Sequence, residues 1–320
     1  MTSAQVVGID IGGSGTRAVL CDVDGTVARV ATGPTAQHQV VGHDGTRAAI
    51  ATTLDGWDLG SVVASHVGAS GADFPEDIVA LREDLAHLPG LVVENDALLG
   101  LHAATDAAGV AVVAGSGTNA VAVGRDGATH QVGGLGWHCG DVSGAWQLGV
   151  DGLRHAIRAW EGREPASSLT ARCCALGELA DGAALLHAVA RFQGPDAFAV
   201  ASAVIEEAGA GDAVATALCR THGDDMGRAA GLALVAAGLG EEPDVPVVVI
   251  GGLVVQSLAA PRAPLLGALI DAVRSRVPGA RLVPWDGVPV VGAVAAALRR
   301  AGASADVDAL NVQISPQVSP

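Results

Sequence analysis

The tetrapeptide Gly-Ser-Gly-Thr occurs twice in this chain, at residues 13–16 and 115–118, in surroundings that align without a gap. Each copy follows an apolar run, leads into a second apolar stretch and closes on Asp-Gly, which predicts a tight hairpin. Such an internal repeat indicates a fold built from two similar halves. The copies differ ahead of the turn, where Asp10 in the first corresponds to Val112 in the second. We therefore expect a bound cation, such as a metal ion, at the first copy.

Both repeated turns have the composition of a phosphate-binding site. Glycine exposes backbone N–H groups and the hydroxyls of Ser and Thr add further donors, so such a turn can form an anion cradle. The predicted phosphate-binding residues are Gly12, Gly13, Ser14, Gly15 and Thr16 in the first turn, and Gly115, Ser116, Gly117 and Thr118 in the second. The alternative is a pair of ordinary glycine hairpins, which the repetition disfavours. The dinucleotide fingerprint G-x-G-x-x-A also fits the first turn, but the helix it requires has no room before Asp24-Gly25.

The charged residues exclude several classes of protein. All 18 basic residues are arginines, so the chain lacks the lysine of P-loop kinases, pyridoxal enzymes and Schiff-base aldolases. The net charge of −16 disfavours binding to nucleic acid or to anionic membranes. Without lysine, Arg17 is a candidate for stabilising charge on a phosphate.

Length and patterning favour a two-domain cytoplasmic protein. A chain of 320 residues accommodates two ordinary domains, and no stretch approaches the roughly 20 apolar residues of a membrane span. The N-terminal residues lead directly into the first strand, without the features of a secretion signal. Five cysteines without C-x-x-C spacing do not predict a disulfide framework or a thiolate zinc site.

Strand and helix signals alternate along both halves, which predicts a mixed α/β architecture with one domain per copy of the repeat. The middle segment, 149–240, is rich in alanine and predicted to be mainly helical. Beyond it we expect a buried strand at 245–250, a helix from about Ser257 and a final helix at 289–300. The tail after Gly302 is predicted to be loosely ordered.

Asp96 is the strongest candidate for a catalytic group. It follows a buried strand and precedes a helix, which is where open α/β sheets place residues that contact ligands. A carboxylate at that position can accept the proton of a hydroxyl that attacks phosphorus. The alternative is that Asp96 or Asn95 caps the following helix. Asp10, between two isoleucines and ahead of the glycine turn, is better explained as a magnesium ligand, direct or through water.

Two further glycine-rich segments could contact ligands. Residues 133–146 hold two tryptophans, whose indole faces suit a sugar ring, and Asp141, which could accept hydroxyl hydrogen bonds. The alternative for this segment is a structural loop leading into a helix. Adjacent His138 and Cys139 would need further ligands to chelate one metal ion. Gly251-Gly252, at a strand end, could let a nucleoside lie on the backbone or could form a plain turn.

Taken in this order, these motifs resemble the N-acetylglucosamine kinase branch of the actin-like ATPase superfamily, which also includes the BadF/BadG/BcrA/BcrD ATPases. Residues 8–16 resemble the first phosphate motif of that family, 113–119 the second and 250–252 the adenosine motif. Asn95-Asp96-Ala97 stands where the family has its catalytic aspartate. The segment 133–144 stands where it has the glycine-rich sugar loop.

This resemblance implies a two-domain, ribonuclease H-like fold with an interdomain cleft, a homodimer, and the use of ATP and Mg²⁺. The expected N-terminal domain is 1–108 together with the C-terminal helix 289–302, and the expected C-terminal domain is 109–288. Asp10 would hold magnesium, Asp96 would act as base, and Gly251 and Gly252 would bind ATP together with the two turns. The expected sugar-binding residues are Gln37, His38, Asn95, Asp96, Gly136, Trp137 and Asp141.

The chain departs from the family at positions that would contact the sugar. Gln37, His38 and Gln39 stand where acetylglucosamine kinases carry Asn, His and Trp, and Val142 stands where they usually carry Glu. We therefore predict ATP-dependent phosphorylation of an amino sugar, with the acceptor open between N-acetylglucosamine, glucosamine and related sugars. The alternatives are an ATPase that drives a partner protein and a catalytically silent sugar sensor. A sugar-responsive repressor of the related ROK family is excluded by the absence of a DNA-binding domain and a cysteine-rich zinc loop.

Overall fold

A computed structural model describes residues 3–260 and 262–318 of the chain. The chain divides into two compact units. The first unit contains the described residues of Met1–Ala107 and Gly287–Pro320, and the second contains those of Ala108–Asp286. Strands alternate with helices in both units, which confirms the predicted mixed α/β fold class.

Strands and helices are numbered separately, each in chain order. The strands are β1 (Gln5–Ile11), β2 (Thr16–Asp22), β3 (Val27–Gly33), β4 (Val62–Ala69), β5 (Leu91–Asn95), β6 (Gly109–Ala114), β7 (Thr118–Val123), β8 (Thr129–Gly133), β9 (Val245–Ile250) and β10 (Ala280–Pro284). The helices are α1 (His38–Thr53), α2 (Pro75–Asp84), α3 (Ala97–Ala104), α4 (Ala145–Trp160), α5 (Ser168–Leu176), α6 (Gly182–Val189), α7 (Ala197–Ala210), α8 (Ala213–Ala236), α9 (Gly252–Ala259), α10 (Leu265–Arg274), α11 (Val290–Arg300) and α12 (Val307–Val318). A short 3₁₀ turn covers Trp137–Cys139.

The first unit is built on a five-stranded sheet in the order β3-β2-β1-β4-β5. Strand β1 pairs antiparallel with β2 and parallel with β4, and β4 pairs parallel with β5. The carboxyl ends of β1, β4 and β5 therefore lie at one edge of the sheet, where an open α/β sheet binds its ligands. Helix α11 packs on β1 and α3, and its residues from Val290 to Leu298 are all buried.

The sheet of the second unit repeats this plan. Its order is β8-β7-β6-β9-β10, with β6 antiparallel to β7 and parallel to β9. The repeat seen in the sequence as two hairpins thus extends over five strands in each unit. All six residues of β9 are buried, as expected of a parallel strand covered on both faces.

Helices occupy most of the segment between β8 and β9, as predicted for residues 149–240. Aspartates 181, 196 and 212 each accept a hydrogen bond from a backbone N–H in the first turn of the helix that follows. Within the described residues, no helix is both long enough and apolar enough to cross a membrane.

Four sequence-based predictions of local structure were wrong or incomplete. The tail after Gly302 contains α12, although it was predicted to be loosely ordered. Helix α9 begins directly after Gly251, not at Ser257. Strands β8 and β10 were not predicted, because both are short and neither is an uninterrupted apolar run. They form the two edges of the second sheet, where a strand pairs with only one neighbour.

Candidate active site

The first glycine turn connects β1 to β2. It spans residues 12–15 and is closed by the N–H of Gly12, which donates to the carbonyl of Gly15 at 2.9 Å. Gly13 and Ser14 lie exposed at its tip. Thr16 is buried, and its hydroxyl accepts a hydrogen bond from the N–H of Ala36. The tip can therefore meet an anion, while Thr16 ties the turn to the segment after β3.

Asp10 lies one residue before the end of β1 and is only 4% exposed. One nitrogen of the Arg17 guanidinium lies 3.5 Å from its carboxylate. Burial raises the pKa of Asp10 to about 6, although the charge of Arg17 and its hydrogen bond partly offset that effect. Asp10 is thus a desolvated carboxylate beside the first glycine turn, and among the described residues its one ion pair is with Arg17.

Asp96 directly follows β5 at the same edge of the sheet. Burial, together with the negative charges of Asp10 and Asp73, raises the pKa of Asp96 to about 7, against a smaller lowering by the N–H groups of Ala97 and Asp96. The fold therefore brings Asp10 and Asp96 close enough to repel each other. A site with this charge favours a cation or a proton.

Helix α3 starts at Ala97, and the side chain of Asn95 caps it. Asp96 has helical backbone angles and makes no capping hydrogen bond with its side chain. Asn95 Oδ1 instead accepts the N–H of Ala97 at 3.0 Å, and its Nδ2 donates to Asp73 Oδ1 at 2.9 Å. Asn95 therefore fixes the start of the helix, so the capping alternative applies to Asn95 and not to Asp96.

The segment Gln37–Gln39 begins beside the first turn and then turns away from it. A Cβ added to Gly13 would lie 3.5 Å from Gln37 Oε1, so Gln37 stands next to the tip. The ring of His38 lies 3.3 Å from the carboxylate of Asp77 and stacks on His43. Of the two predicted sugar-binding residues here, only Gln37 lies beside the turn.

Gln39 Nε2 donates to the carbonyl of Gly71 at 3.2 Å. Gly71 belongs to the loop that leads from β4 to Asp73, so Gln39 supports the loop that holds this third acid. No role was predicted for Asp73 from the sequence. The signal was available, because Asp73 lies in the loop after β4, Asp96 directly follows β5, and both strands end at the same edge.

In the second unit, the glycine turn between β6 and β7 is one residue shorter than the first. Gly115 donates to the carbonyl of Gly117 at 3.1 Å. The start of α4 is bonded to this turn, since Ala145 donates to the carbonyl of Gly115 at 2.8 Å and Trp146 to that of Ser116 at 3.0 Å. The predicted phosphate turn and the glycine-rich segment after β8 thus form one structure.

A cavity of about 380 Å³ opens at this junction in the second unit. It brings together six predicted site residues, Ser116, Gly117, Thr118, Gly136, Trp137 and Asp141. Ser143 and Trp146, which also line it, belong to the segment 133–146 that was predicted to contact a ligand, whereas Gln147 and Phe198 were not predicted to do so. Phe198 comes from α7, far along the sequence, and no local pattern marks it.

Asp141 closes the glycine-rich segment on itself. Its Oδ2 accepts the N–H of Gly136 at 2.6 Å, and a Cβ on Gly133 would lie 2.8 Å from Oδ1. Trp137 and Trp146 remain 64% and 45% exposed beside the cavity, so both indoles are available to a ligand. The arrangement suits a molecule with C–H faces and polar edges, such as a sugar ring.

Gly251 and Gly252 follow β9 and have different surroundings. Gly251 has φ of +110°, and a Cβ there would lie 2.6 Å from the carbonyl oxygen of Ala114. A Cβ on Gly252 would meet no atom within 4 Å. Gly251 is therefore required by packing against the strand before the second turn, whereas the backbone of Gly252 is open to a ligand.

The chain has clear relatives among known proteins. The N-acetyl-D-glucosamine kinase of Dictyostelium discoideum is 29% identical over 189 residues, which cover 53% of this chain and 59% of that protein. The chain thus matches less than two thirds of the length of this curated relative. A solved structure of a candidate N-acetylglucosamine kinase from Chromobacterium violaceum is 26% identical, covering 91% of this chain and 98% of that one, with a TM-score of 0.63.

A second solved structure supports the fold. The ROK family glucokinase of Streptomyces griseus, solved with glucose and AMPPNP, has a TM-score of 0.52 at 18% identity, covering 92% of this chain and 98% of that one. The sequence profile of the BadF/BadG/BcrA/BcrD ATPase family matches residues 7–301. That match spans nearly the whole chain, including both glycine turns, Asp96 and Gly251-Gly252. The chain therefore belongs to the BadF/BadG/BcrA/BcrD ATPase family.

Proposed function

We propose that this protein transfers the γ-phosphoryl group of ATP to a hydroxyl of an amino sugar, such as N-acetylglucosamine or glucosamine. One observation carries the proposal: the half-buried carboxylate of Asp96 lies where the parallel strands of the first sheet end, is close enough to Asp10 to be repelled by its charge, and makes no side-chain capping hydrogen bond to α3. The names of the relatives support the choice of a sugar kinase over other ATP-using enzymes.

The residues of the first turn fit the phosphates and the magnesium ion of the family. Carboxylate oxygen is the ligand type that Mg²⁺ prefers, and among the described residues the buried Asp10 has only Arg17 as a cationic partner, at 3.5 Å. Bound Mg²⁺ would supply positive charge next to the phosphoryl group that ATP provides. The exposed backbone at Gly13 and Ser14 would bind phosphate oxygens, and Arg17 would stabilise charge near Asp10.

Asp96 would act as the general base. Its carboxylate would accept the proton of the sugar hydroxyl as that oxygen attacks phosphorus. Asn95 would keep the carboxylate in place, because its side chain links the first residue of α3 to Asp73. In the second unit, Ser116 to Thr118 would bind phosphate, and Gly252 would contact the nucleoside.

We propose that the cavity of the second unit binds part of the sugar. Trp137 and Trp146 would contact the ring, and the Asp141 carboxylate, which holds Gly136, would shape the glycine-rich segment around it. We also propose Gln37, which stands next to the first glycine turn, as a contact of the sugar. Val142, next to Asp141, is 54% exposed and stands where, by the resemblance, acetylglucosamine kinases usually carry Glu. We therefore expect fewer polar contacts to the sugar at that position.

We further propose a homodimer that acts in the cytoplasm, where ATP is available. The support for the dimer is the family resemblance, and the check is the molar mass in solution. Sedimentation equilibrium should give twice the chain mass of 31.6 kDa. A mass of one chain at micromolar concentration would contradict the dimer without affecting the proposed reaction.

The function is tested by measuring ATP consumption with amino sugars, with glucose and without acceptor. Replacing Asp96 by Asn removes the base while keeping the shape, so we expect kcat to fall by at least about 100-fold. Asp106→Asn is the matched control, because Asp106 is an exposed acid just beyond the other end of α3. Its activity should equal that of the wild type.

The outcomes separate the candidate functions. Acceptor-independent turnover that survives Asp96→Asn would contradict the kinase and would favour an ATPase that drives a partner. Turnover with glucose and none with amino sugars would overturn only the choice of acceptor. Sugar binding without any ATP consumption would favour a sensor.

A further inference from the structure

His66, Glu94 and His102 form a compact cluster in the first unit. His66 lies on β4 and Glu94 on β5, and His102 lies in the last turn of α3. His66 pairs in register with Val92, so strand alternation places Glu94 on the same face of the sheet as His66. Helix α3 packs back onto β4 and β5 and brings His102 to that face.

The three side chains converge on one oxygen atom. Nε2 of His66 lies 2.9 Å from Glu94 Oε1, and Nε2 of His102 lies 2.8 Å from the same atom. The two rings meet edge to face, with their centroids 5.1 Å apart. The side chains are 4%, 17% and 26% exposed for His66, Glu94 and His102 in that order, so the cluster is largely shielded from solvent.

Hydrogen bonds alone leave this cluster incomplete. Nε2 of His102, one of the two nitrogens that approach Glu94, is buried without a hydrogen-bond partner among the residues that the structure describes, since its contact with Glu94 meets no hydrogen-bond geometry despite the short distance. Buried polar atoms are nearly always paired, and an orphaned atom calls for a water molecule or an ion.

We propose that His66, Glu94 and His102 bind a divalent transition-metal ion, of which Zn²⁺ is the best match. Two imidazole nitrogens with one carboxylate oxygen form a zinc ligand set that leaves a fourth position for water. Magnesium and calcium prefer oxygen ligands throughout, so this site differs in chemistry from the one proposed at Asp10. The two sites share no residue.

The geometry requires only a small adjustment. Zinc bonds of about 2.0–2.1 Å in a tetrahedron place neighbouring ligand atoms about 3.3–3.4 Å apart. The two nitrogens lie 2.9 and 2.8 Å from the oxygen, and one possible ligand atom from each of the three residues lies within 4.8 Å of the others. Each nitrogen therefore needs to move about 0.5 Å away from the oxygen. Side-chain rotation on two strands and a helix can provide this movement and can set the distance between the two nitrogens.

A metal ion at this cluster would stabilise the elements that carry Asp96. Glu94 lies two residues before Asp96. His102 lies on α3, the helix that begins directly after Asp96. A bond from one ion to β4, β5 and α3 would hold the strand–helix joint rigid. This consequence for catalysis rests on the proposed function, whereas metal binding itself does not.

The test is metal binding by the full chain after removal of metals with EDTA. Equilibrium dialysis against micromolar ZnCl₂, followed by elemental analysis, should give one zinc per chain. Zinc at 100 times its Kd should raise Tm by roughly 5 °C. With Co²⁺ in place of zinc, the visible absorption should be that of a four-coordinate ion.

Variants of the cluster residues test whether zinc binds at this cluster. Glu94→Gln and His102→Gln should each lower zinc affinity at least about 10-fold and abolish the Tm shift. His102 is the more exposed histidine, so its variant keeps the test valid if Glu94→Gln fails to fold. His155→Gln is the matched control, because His155 also contacts a glutamate, Glu164, and the described residues place no second histidine against that glutamate.

Two results would overturn the proposal. One is less than about 0.2 zinc per wild-type chain under these conditions. The other is a full complement of zinc in both cluster variants, which would place the metal elsewhere. Neither result would bear on the kinase reaction, because that reaction is measured separately with magnesium and Asp96→Asn.

Discussion

Asp10 is the residue at which the two halves of the chain differ most in chemistry. Its counterpart in the second half, Val112, is fully buried in an apolar core, whereas Asp10 is a buried carboxylate with a raised pKa. Both residues lie on the first strand of a repeated hairpin. The closeness of Asp10 to Asp96 could be predicted from the sequence, because each lies at the end of a strand. The bonds of Asn95, His38 and Gln39 could not, because their partners lie on other elements.

Gly251 and Gly252 allow a test with two adjacent positions. Gly251→Ala forces a side chain into a backbone with φ of +110° and against Ala114, so the free energy of unfolding should fall by at least about 1–2 kcal/mol. Gly252→Ala meets no atom, so stability should stay within about 0.5 kcal/mol of the wild type. If the nucleoside lies on this backbone, Gly252→Ala should raise KM for ATP several-fold. Denaturation and steady-state kinetics measure both effects, and an unchanged KM would remove Gly252 from the ATP site.

Helix α12 is the element that the sequence predicts least well. Apolar and polar residues are mixed along it and it contains Pro316, so it shows no strong amphipathic pattern. Yet Leu310, Ile314 and Val318 are spaced by four residues and are buried on one face, and Gln313 bonds to the backbone of Gly25 and Val27. Tertiary packing decides the structure of such a segment, because the helix is stabilised by the surface it covers and not by its own propensity.

This packing predicts a clear contrast between two variants of α12. Ile314→Ala removes a fully buried side chain, so the free energy of unfolding should fall by about 2–4 kcal/mol. Val312→Ala removes a side chain that is 75% exposed and should change it by less than about 0.5 kcal/mol. Urea unfolding followed by circular dichroism measures both. Equal stability of the two variants would mean that α12 does not pack as described.

At the scale of the whole molecule, the two sheets share one strand order and one pattern of parallel and antiparallel pairs. The sequence predicts the two hairpins of this repeat, because glycine turns and Asp-Gly pairs mark them locally. Strands β4 and β9 hold equivalent positions in the two sheets, as do β5 and β10. No repeated sequence motif marks this equivalence. Strands β4 and β9 pair with the first strand of their hairpin across long crossovers, and their register depends on contacts between distant residues.

The cavity of the second unit is also lined partly by residues of local motifs and partly by residues distant in the sequence. Residues 116–118 and 136–141 belong to motifs and could be predicted as ligand-binding. Phe198 and the bond between Ser143 and Asp225 come from helices far along the chain, so they emerge only from the fold.

The most direct test of the proposed kinase is the stoichiometry of the reaction. Wild-type protein with magnesium, ATP and N-acetylglucosamine or glucosamine should form one ADP for each sugar phosphate, as measured by enzymatic ADP assay and mass spectrometry of the product. Without sugar, ADP formation should be near zero. ADP that accumulates at the same rate with and without either sugar, and without any phosphorylated sugar, would contradict the proposed kinase.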